Sequence, residues 1–275
     1  MDKNYLTKFA YAILLLLSSC FIEIQDSSPN QSKLSVNIFN ELFLLKASQN
    51  KIIKLNSDGN IISEWSPLNI ENFRSYFIQD ICISGLNVYL TLYNYPNILI
   101  LDRNLNYSGI VKPNIKEFSF FSSIDISSNG TIIGIEGLKK KIYYSKLNEL
   151  IFFELPLLEK FARDHNIFTI KFIDDNALFL ANNKQFFLTT LSGKILYSSQ
   201  IFNDIKCFAV AENEITILDR SRLLDFEFYK KDLSSLKNFI EIPLQMQNGV
   251  IALTKSEIFV YFENKGEILK IKKTD

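Results

Sequence analysis

Three cysteines and one histidine are all that this 275-residue chain offers for thiol or imidazole chemistry. Cys20 ends an apolar run followed by small residues, "YAILLLLSSC". Cys82 and Cys207 stand apart in strand-like stretches, with no C-x-x-C pair and no zinc spacing. With His165 alone, a multi-histidine metal site is excluded, and any histidine triad would have to be built on that residue. Asp80, Asp125, Lys171, Lys206 and Glu241 are the remaining charged candidates for a shared interior site. Their mixed signs argue against a calcium cluster, which needs several converging carboxylates. They favour acids and lysines that neutralise one another, and no cofactor is implied.

The elements that position these residues begin with the N-terminus. Lys3 and Lys8 precede the apolar stretch Phe9 to Leu17, which is too short to span a hydrocarbon core of about 30 Å. A charged start, a short apolar centre and small residues before a cut are the parts of a secretory signal. "Leu17-Ser18-Ser19-Cys20" resembles the lipobox of bacterial lipoproteins. That resemblance implies cleavage before Cys20, a diacylglycerol on its thiol and anchoring in the cell envelope. Phe21, rather than an aspartate, favours the outer membrane by the family's sorting tendency. The expected organisation is a signal over 1–19, a lipidated flexible tether over 20–33 carrying "QDSSPNQSK", and a folded body over 34–275.

Composition constrains the body. Basic and acidic residues balance at 30 each, so there is no footprint for nucleic acid. The 24 Phe and 12 Tyr, against nine Gly and six Pro, favour pleated strands over disorder.

Strand, tight polar turn and strand recur as "KIIKLNSDGNIISEW", "ILILDRNLNYSGIV", "KIYYSKLNELIFFEL", "QFFLTTLSGKILYSS" and "IFVYFENKGEILKIK". Ahead of these lie other strand pairs, among them "IQDICISGLNVYLTLY", "SIDISSNGTIIGIE" and "IPLQMQNGVIALT". The second strands start near Leu42, Val88, Thr131, Ala177, Ile215 and Val250, giving six units of four strands, roughly 40 residues each. The expected fold is all-β: a six-bladed β-propeller of four-stranded antiparallel blades with short helical insertions between blades. "ILILDRNLN" resembles repeats of NHL and YWTD propellers. Cys82 and Cys207 fall on first strands of opposing blades. A disulfide needs Cα atoms within about 7 Å, so two separate buried thiols are expected.

Strand alternation sorts the loops. Turns between strands one and two, and three and four, share a turn face. The remaining connections share a loop face. Segments 67–77 and 156–166 on the loop-face crossings have helical apolar spacing: Ile70, Phe73 and Phe77 in one, Leu157, Leu158 and Phe161 in the other. Lys139, Lys140, Lys141, Lys184, Arg220, Arg222 and Lys255 make this face basic, while Glu41, Asp58, Asp102, Asp174, Asp175 and Glu212 make the turn face acidic. Tyrosine and arginine dominate interface energetics, so Arg74, Tyr76, Tyr93, Tyr95 and Arg163 are the expected partner contacts. The functional expectation is a non-enzymatic, lipid-anchored interaction module that binds another envelope protein through the loop face. The alternatives are a lactonase- or dehydrogenase-like enzyme or small-ligand binder using the central channel, and a surface adhesin.

Overall fold

The computed structural model describes residues 32–273, apart from Ser57, 203–204, 212–213, 220–221, 230–231, 242–248, Lys255 and Asn264. Six antiparallel sheets succeed one another along the chain. Blade 1 holds β1 (Lys33–Val36), β2 (Leu42–Lys46), β3 (Lys51–Leu55) and β4 (Ile61–Trp65). Blade 2 holds β5 (Ile78–Ser84), β6 (Asn87–Leu92), β7 (Ile98–Asp102) and β8 (Tyr107–Val111). Blade 3 holds β9 (Phe121–Ile126), β10 (Thr131–Glu136), β11 (Ile142–Lys146) and the short β12 (Phe153–Glu154). Blade 4 holds β13 (Thr169–Phe172), β14 (Ala177–Ala181), β15 (Phe186–Thr190) and β16 (Ile195–Ser198). Blade 5 holds β17 (Ile205–Ala211), β18 (Glu214–Asp219), β19 (Arg222–Tyr229) and β20 (Asp232–Glu241). Blade 6 holds β21 (Gly249–Leu253), β22 (Glu257–Phe262) and β23 (Glu267–Lys272), three strands among the described residues.

The turns form because Asn or Asp at their first position folds back on the backbone. Asn37 Oδ1 accepts from the amides of Phe39 and Glu41, each at 2.9 Å. Asn56 Oδ1 does the same for Asp58 and Asn60, at 2.9 and 2.8 Å, and Asp102 Oδ1 for Asn104 and Asn106, at 2.8 and 2.9 Å. Each such side chain satisfies two amides of a hairpin whose strands are then free to pair in register.

The core lies between blades. One apolar cluster packs each neighbouring pair: Trp65 and Phe73 against Leu90 for blades 1 and 2, and Tyr89 against Ile132 for 2 and 3. Ile135 meets Leu178 between 3 and 4, Phe186 meets Ile217 between 4 and 5, and Leu218 meets Val260 between 5 and 6. A sixth cluster, with Leu42 and Ile53 against Phe259 and Tyr261, joins blade 6 to blade 1 and closes the ring. The six-bladed propeller expected from the repeat is the observed fold.

Three local expectations change. Segment 67–77 is not one helix but two 3-10 turns, Pro67–Asn69 and Glu71–Phe73. Ile70 between them is extended, and Asn50 ties the segment to blade 1 by donating to Tyr76 O at 2.9 Å and accepting from Ile78 N at 2.8 Å. Segment 156–166 does contain a helix, α1 (Pro156–Asp164), but it seats Leu158 and Ala162 between blades 3 and 4, where the two-residue β12 leaves space. It packs along that seam, and Leu157, expected on its apolar side, is 69% exposed.

The third change concerns blade 6. The second strand expected from Val250 is instead a first strand, and the "IPLQMQ" expected before it lies outside the described residues. Val250 lies on β21, which runs beside the innermost strands β17 and β1. The reason lies in blade 5, whose blurred final turn hides β19 and β20, the longest of the described strands. The turn holding position 255 therefore joins strands one and two and belongs to the turn face. Lys255, Arg220 and Glu212 themselves fall outside the described residues.

Candidate functional site

The inner strands surround a cavity of about 580 Å³, lined by Ser35, Cys82, Asp125, Lys171, Phe208 and Leu253, one from each blade. It is bordered by the first turn of blade 1 (Asn37, Ile38 and Asn40) and by Thr254 and Ser256 of blade 6, so its mouth is on the turn face.

Two carboxylates organise the channel by reaching across blades. Asp80 on β5, 1% exposed, pairs with Lys33 of β1 at 2.6 Å and accepts from Ile124 N of β9 at 2.9 Å. Asp125 on β9 pairs with Lys171 of β13 at 3.2 Å, accepts from Phe172 N at 2.7 Å and from the Cys82 thiol at 3.3 Å. Each acid thus caps an outward amide of the next inner strand, an edge that no other strand covers. Burial works against the Asp80 charge, but Lys33 and Lys171 outweigh it and hold its carboxyl below the usual range. Burial likewise opposes the Lys171 charge, and Asp125 and Asp80 overcome it, raising its pKa. Burial, then Asp125, pushes the Cys82 thiol well up, and burial pushes Cys207 up to about 12. Both cysteines are free thiols, Cys82 buried and Cys207 half-buried, with Cys207 donating to Gly249 O at 3.3 Å. The expected neutralising pairs are therefore present for Asp80, Asp125 and Lys171. The Glu241 side chain lies outside the described set, and Lys206 has interactions of its own.

His165 sits at the C-terminal cap of α1 and packs at a tilt against the rings of Phe161 and Phe187, at centroid distances of 4.3 and 4.8 Å. Among the described residues, no three His, Cys, Asp or Glu side chains are grouped to hold a metal.

On the loop face the structure divides the residues singled out from sequence. Tyr76 and Tyr95 are half-buried and pack on one another with tilted rings at 5.0 Å, with Tyr95 edge-on to Phe73 at 5.5 Å. They glue blade 1 to blade 2. Arg74 is exposed, and Arg163 is exposed while pairing with Glu159 one helical turn back at 2.7 Å. Tyr93 is exposed at 41% and leans on Phe120 at 5.0 Å.

Around Tyr93 runs a strip that the sequence reading missed. Phe77, counted there among the inward residues of a helix, is 60% exposed, and its carbonyl accepts from Tyr93 N at 2.8 Å. Phe120 O accepts from Gly137 N at 2.9 Å, which brings in Leu138, 66% exposed. Gly137 is required there: a Cβ would come within 2.2 Å of the Phe120 ring. The exposed Phe77, Tyr93 and Leu138 are thus gathered across blades 2 and 3 around Phe120, itself buried. The only sequence signal was an aromatic at the end of a crossing whose helical spacing proved incidental.

The charge contrast between faces is muted by pairing. Lys139 meets Glu117 at 3.1 Å and Lys141 meets Glu154 at 2.6 Å on the loop side. On the turn side Glu41 is held by Arg103 at 2.6 Å and Lys54 at 2.9 Å. That side also exposes Ile38, Phe39 and Leu86.

No family model and no curated protein matches the chain. Solved structures do. Virginiamycin B lyase from Staphylococcus aureus aligns over 88% of this chain and 80% of its own, at 16% identity and a TM-score of 0.54. A chain of Kuenenia stuttgartiensis hydrazine synthase aligns over 92% and 98%, at 8% identity and a TM-score of 0.58. A chain of a nidogen/laminin complex aligns over 81% and 86%, at 12% identity and a TM-score of 0.58. At such identities the likeness establishes the propeller fold alone.

Proposed function

We propose that this protein is a lipid-anchored component of the bacterial cell envelope, held in the outer membrane through Cys20, whose propeller binds another envelope protein through its loop face and performs no chemistry. The observation that carries this reading is the exposed set Phe77, Tyr93 and Leu138, gathered around the buried Phe120, with Arg74 exposed in the adjoining 67–77 crossing. Single exposed apolar residues are ordinary, but several gathered on one loop face are the kind of surface that partners cover. Aromatic and arginine anchors are also the side chains that contribute most to such contacts. The channel supports the non-enzymatic half of the reading. Its acids are committed to lysines and backbone amides, and its thiol is kept protonated, so an activated nucleophile is wanting among the described residues. Solved propellers of this shape include both a lyase and a protein complex.

One observation favours a second reading, a small ligand in the channel: the cavity is large enough for one and presents Asp125 and Lys171 to it.

The test uses membranes from cells producing the full chain. Cys20→Ser is expected to move the protein to the soluble fraction. The pair Phe77→Ser and Tyr93→Ala is expected to leave it anchored but to lower co-purification of its envelope partner at least about tenfold. Unchanged co-purification would discard the strip, and unchanged membrane retention of Cys20→Ser would discard the anchor.

A further inference from the structure

The six innermost strands each place one residue at a common level of the channel. Asn37, Ser84, Ser127, Ile173, Ala211 and Thr254 close the first hairpins of their blades. Two residues before each stands, in blade order, Ser35, Cys82, Asp125, Lys171, Ala209 or Ala252. These side chains face the following blade: Cys82 packs with blade 3, Ala209 with blade 6 and Ala252 with blade 1. The level is polar through blades 1 to 4. In blades 5 and 6 it is bare, and two methyl groups border the cavity.

The same level shows how this ring treats the open edge of an inner strand. Ile173 N donates to Ala177 O of β14, so the amides of Ile170 and Phe172 on β13 point the other way, into the channel. Both are capped from blade 3, Ile170 N by Ser123 Oγ at 3.5 Å and Phe172 N by Asp125 at 2.7 Å. Ile124 N of β9 is capped from blade 2 by Asp80. On β17 the pair Ala211 and Glu214 closes the hairpin, and the same alternation turns Phe208 N and Val210 N into the channel. Val210 N corresponds to Phe172 N. In blade 4, however, the place of its carboxylate cap is taken by Lys171, and a lysine cannot accept a hydrogen bond. β13 and β17 also stand further apart than the other neighbouring inner strands, which run side by side. At this junction the Phe208 ring packs on Phe179 of β14 at 4.6 Å. Among the described residues, the carboxylate that blades 3 and 4 receive is missing for blade 5.

Lys171 supplies the other half of a site. Its ammonium gives one proton to Asp125 at 3.2 Å and one to Ile124 O at 3.3 Å, which leaves a third. The side chain lines the cavity and keeps 24% of its surface open.

We propose that the channel binds a small monocarboxylate, whose oxygens sit on Val210 N and Lys171 Nζ as those of Asp125 sit on Phe172 N and Lys171 Nζ, and whose apolar remainder lies over Ala209 and Ala252. Val36 and Leu253 beside these alanines keep that end of the cavity apolar. Hydrogen bonds from an ammonium and an amide to a carboxylate are of the strong, charge-assisted kind. The site deepens the second reading above, a ligand in the channel, and loop-face binding stands or falls without it.

The experiment follows the Val210 amide by NMR in the purified full chain made with isotope-labelled valine. Benzoate and hexanoate, at millimolar concentration, are the probes, and benzamide and hexanamide are their neutral matches. An acid is expected to move the Val210 resonance and to bind at least about tenfold more tightly than its amide, the worth of one charge-assisted hydrogen bond. Lys171→Met is expected to lower that affinity by at least about tenfold. Because this change also strips Asp125 of its cation, Ala209→Leu provides a second variant: it keeps every charge, fills the apolar end and is expected to abolish the shift. Absence of a Val210 shift with both acids would overturn the proposal. Equal affinity for acid and amide would overturn the carboxylate site while leaving a channel ligand of another class.

Discussion

Asp80 shows what a single side chain contributes to a ring with no interlocking helix at its centre. Its carboxylate joins three blades through Lys33, its own strand and Ile124 N, and it does so almost fully out of water. Asp80→Ala leaves the Ile124 amide and the partly buried Lys33 without their acceptor and is expected to cost about 2–4 kcal/mol in urea unfolding. The pH dependence has a definite sign. The folded state holds this carboxyl below its ordinary pKa, so the unfolded chain binds the proton more readily. Its contribution is complete above the ordinary carboxylate range and is lost as pH falls through it. Asp80→Asn is therefore expected to flatten the fall in stability between about pH 5 and pH 3, measured against the parent protein. A parallel fall would remove Asp80 from this role. The thiols give a second expectation. With Cys82 and Cys207 both held above their ordinary pKa by burial, alkylation at pH 8 should run at least about a hundredfold slower on the folded protein than in urea. These acids and cysteines were legible in the sequence because charged or thiol groups inside alternating apolar strands have few places to go. Their partners were not, since Lys33 sits at the end of a polar stretch and only ring closure brings it to Asp80.

At the scale of the element, hairpins were readable and insertions were not. A turn such as 56–60 carries its own geometry in the Asn56 side chain, whatever the rest of the molecule does. The crossing 67–77 takes its form from Asn50, a residue of another loop, and so its helical spacing misled. Helix α1 was foreseen as a helix, yet its buried side could only be known once the brevity of β12 opened a seam between blades 3 and 4. That placement makes a contrast between neighbours. Leu158→Ala is expected to destabilise by about 2–4 kcal/mol, whereas Leu157→Ala should change thermal unfolding little. Equal effects would mean that the helix packs on a different side.

For the whole molecule, the decisive feature is that the sixth apolar cluster joins the last blade to the first. Ring closure is what assigns connections to one side or the other, and it places Phe77, Tyr93 and Leu138 together although they come from two blades. The six-fold repeat made the ring legible; the frame of blade 6 was lost because long β19 and β20 obscured where one unit ended. The five contact residues chosen from sequence split the same way, since burial between blades claims Tyr76 and Tyr95 while Arg74, Tyr93 and Arg163 stay exposed. The functional proposal therefore rests on one face, and it can be compared with the other in living cells. A photo-reactive amino acid placed in turn at Phe77, Tyr93 and Leu138, and at Ile38, Phe39 and Leu86 on the turn face, measures this directly. The account predicts one crosslinked envelope protein from the first three positions, diminished by Arg74→Glu, and little from the second three. Crosslinking that comes mainly from Ile38, Phe39 and Leu86 would contradict it.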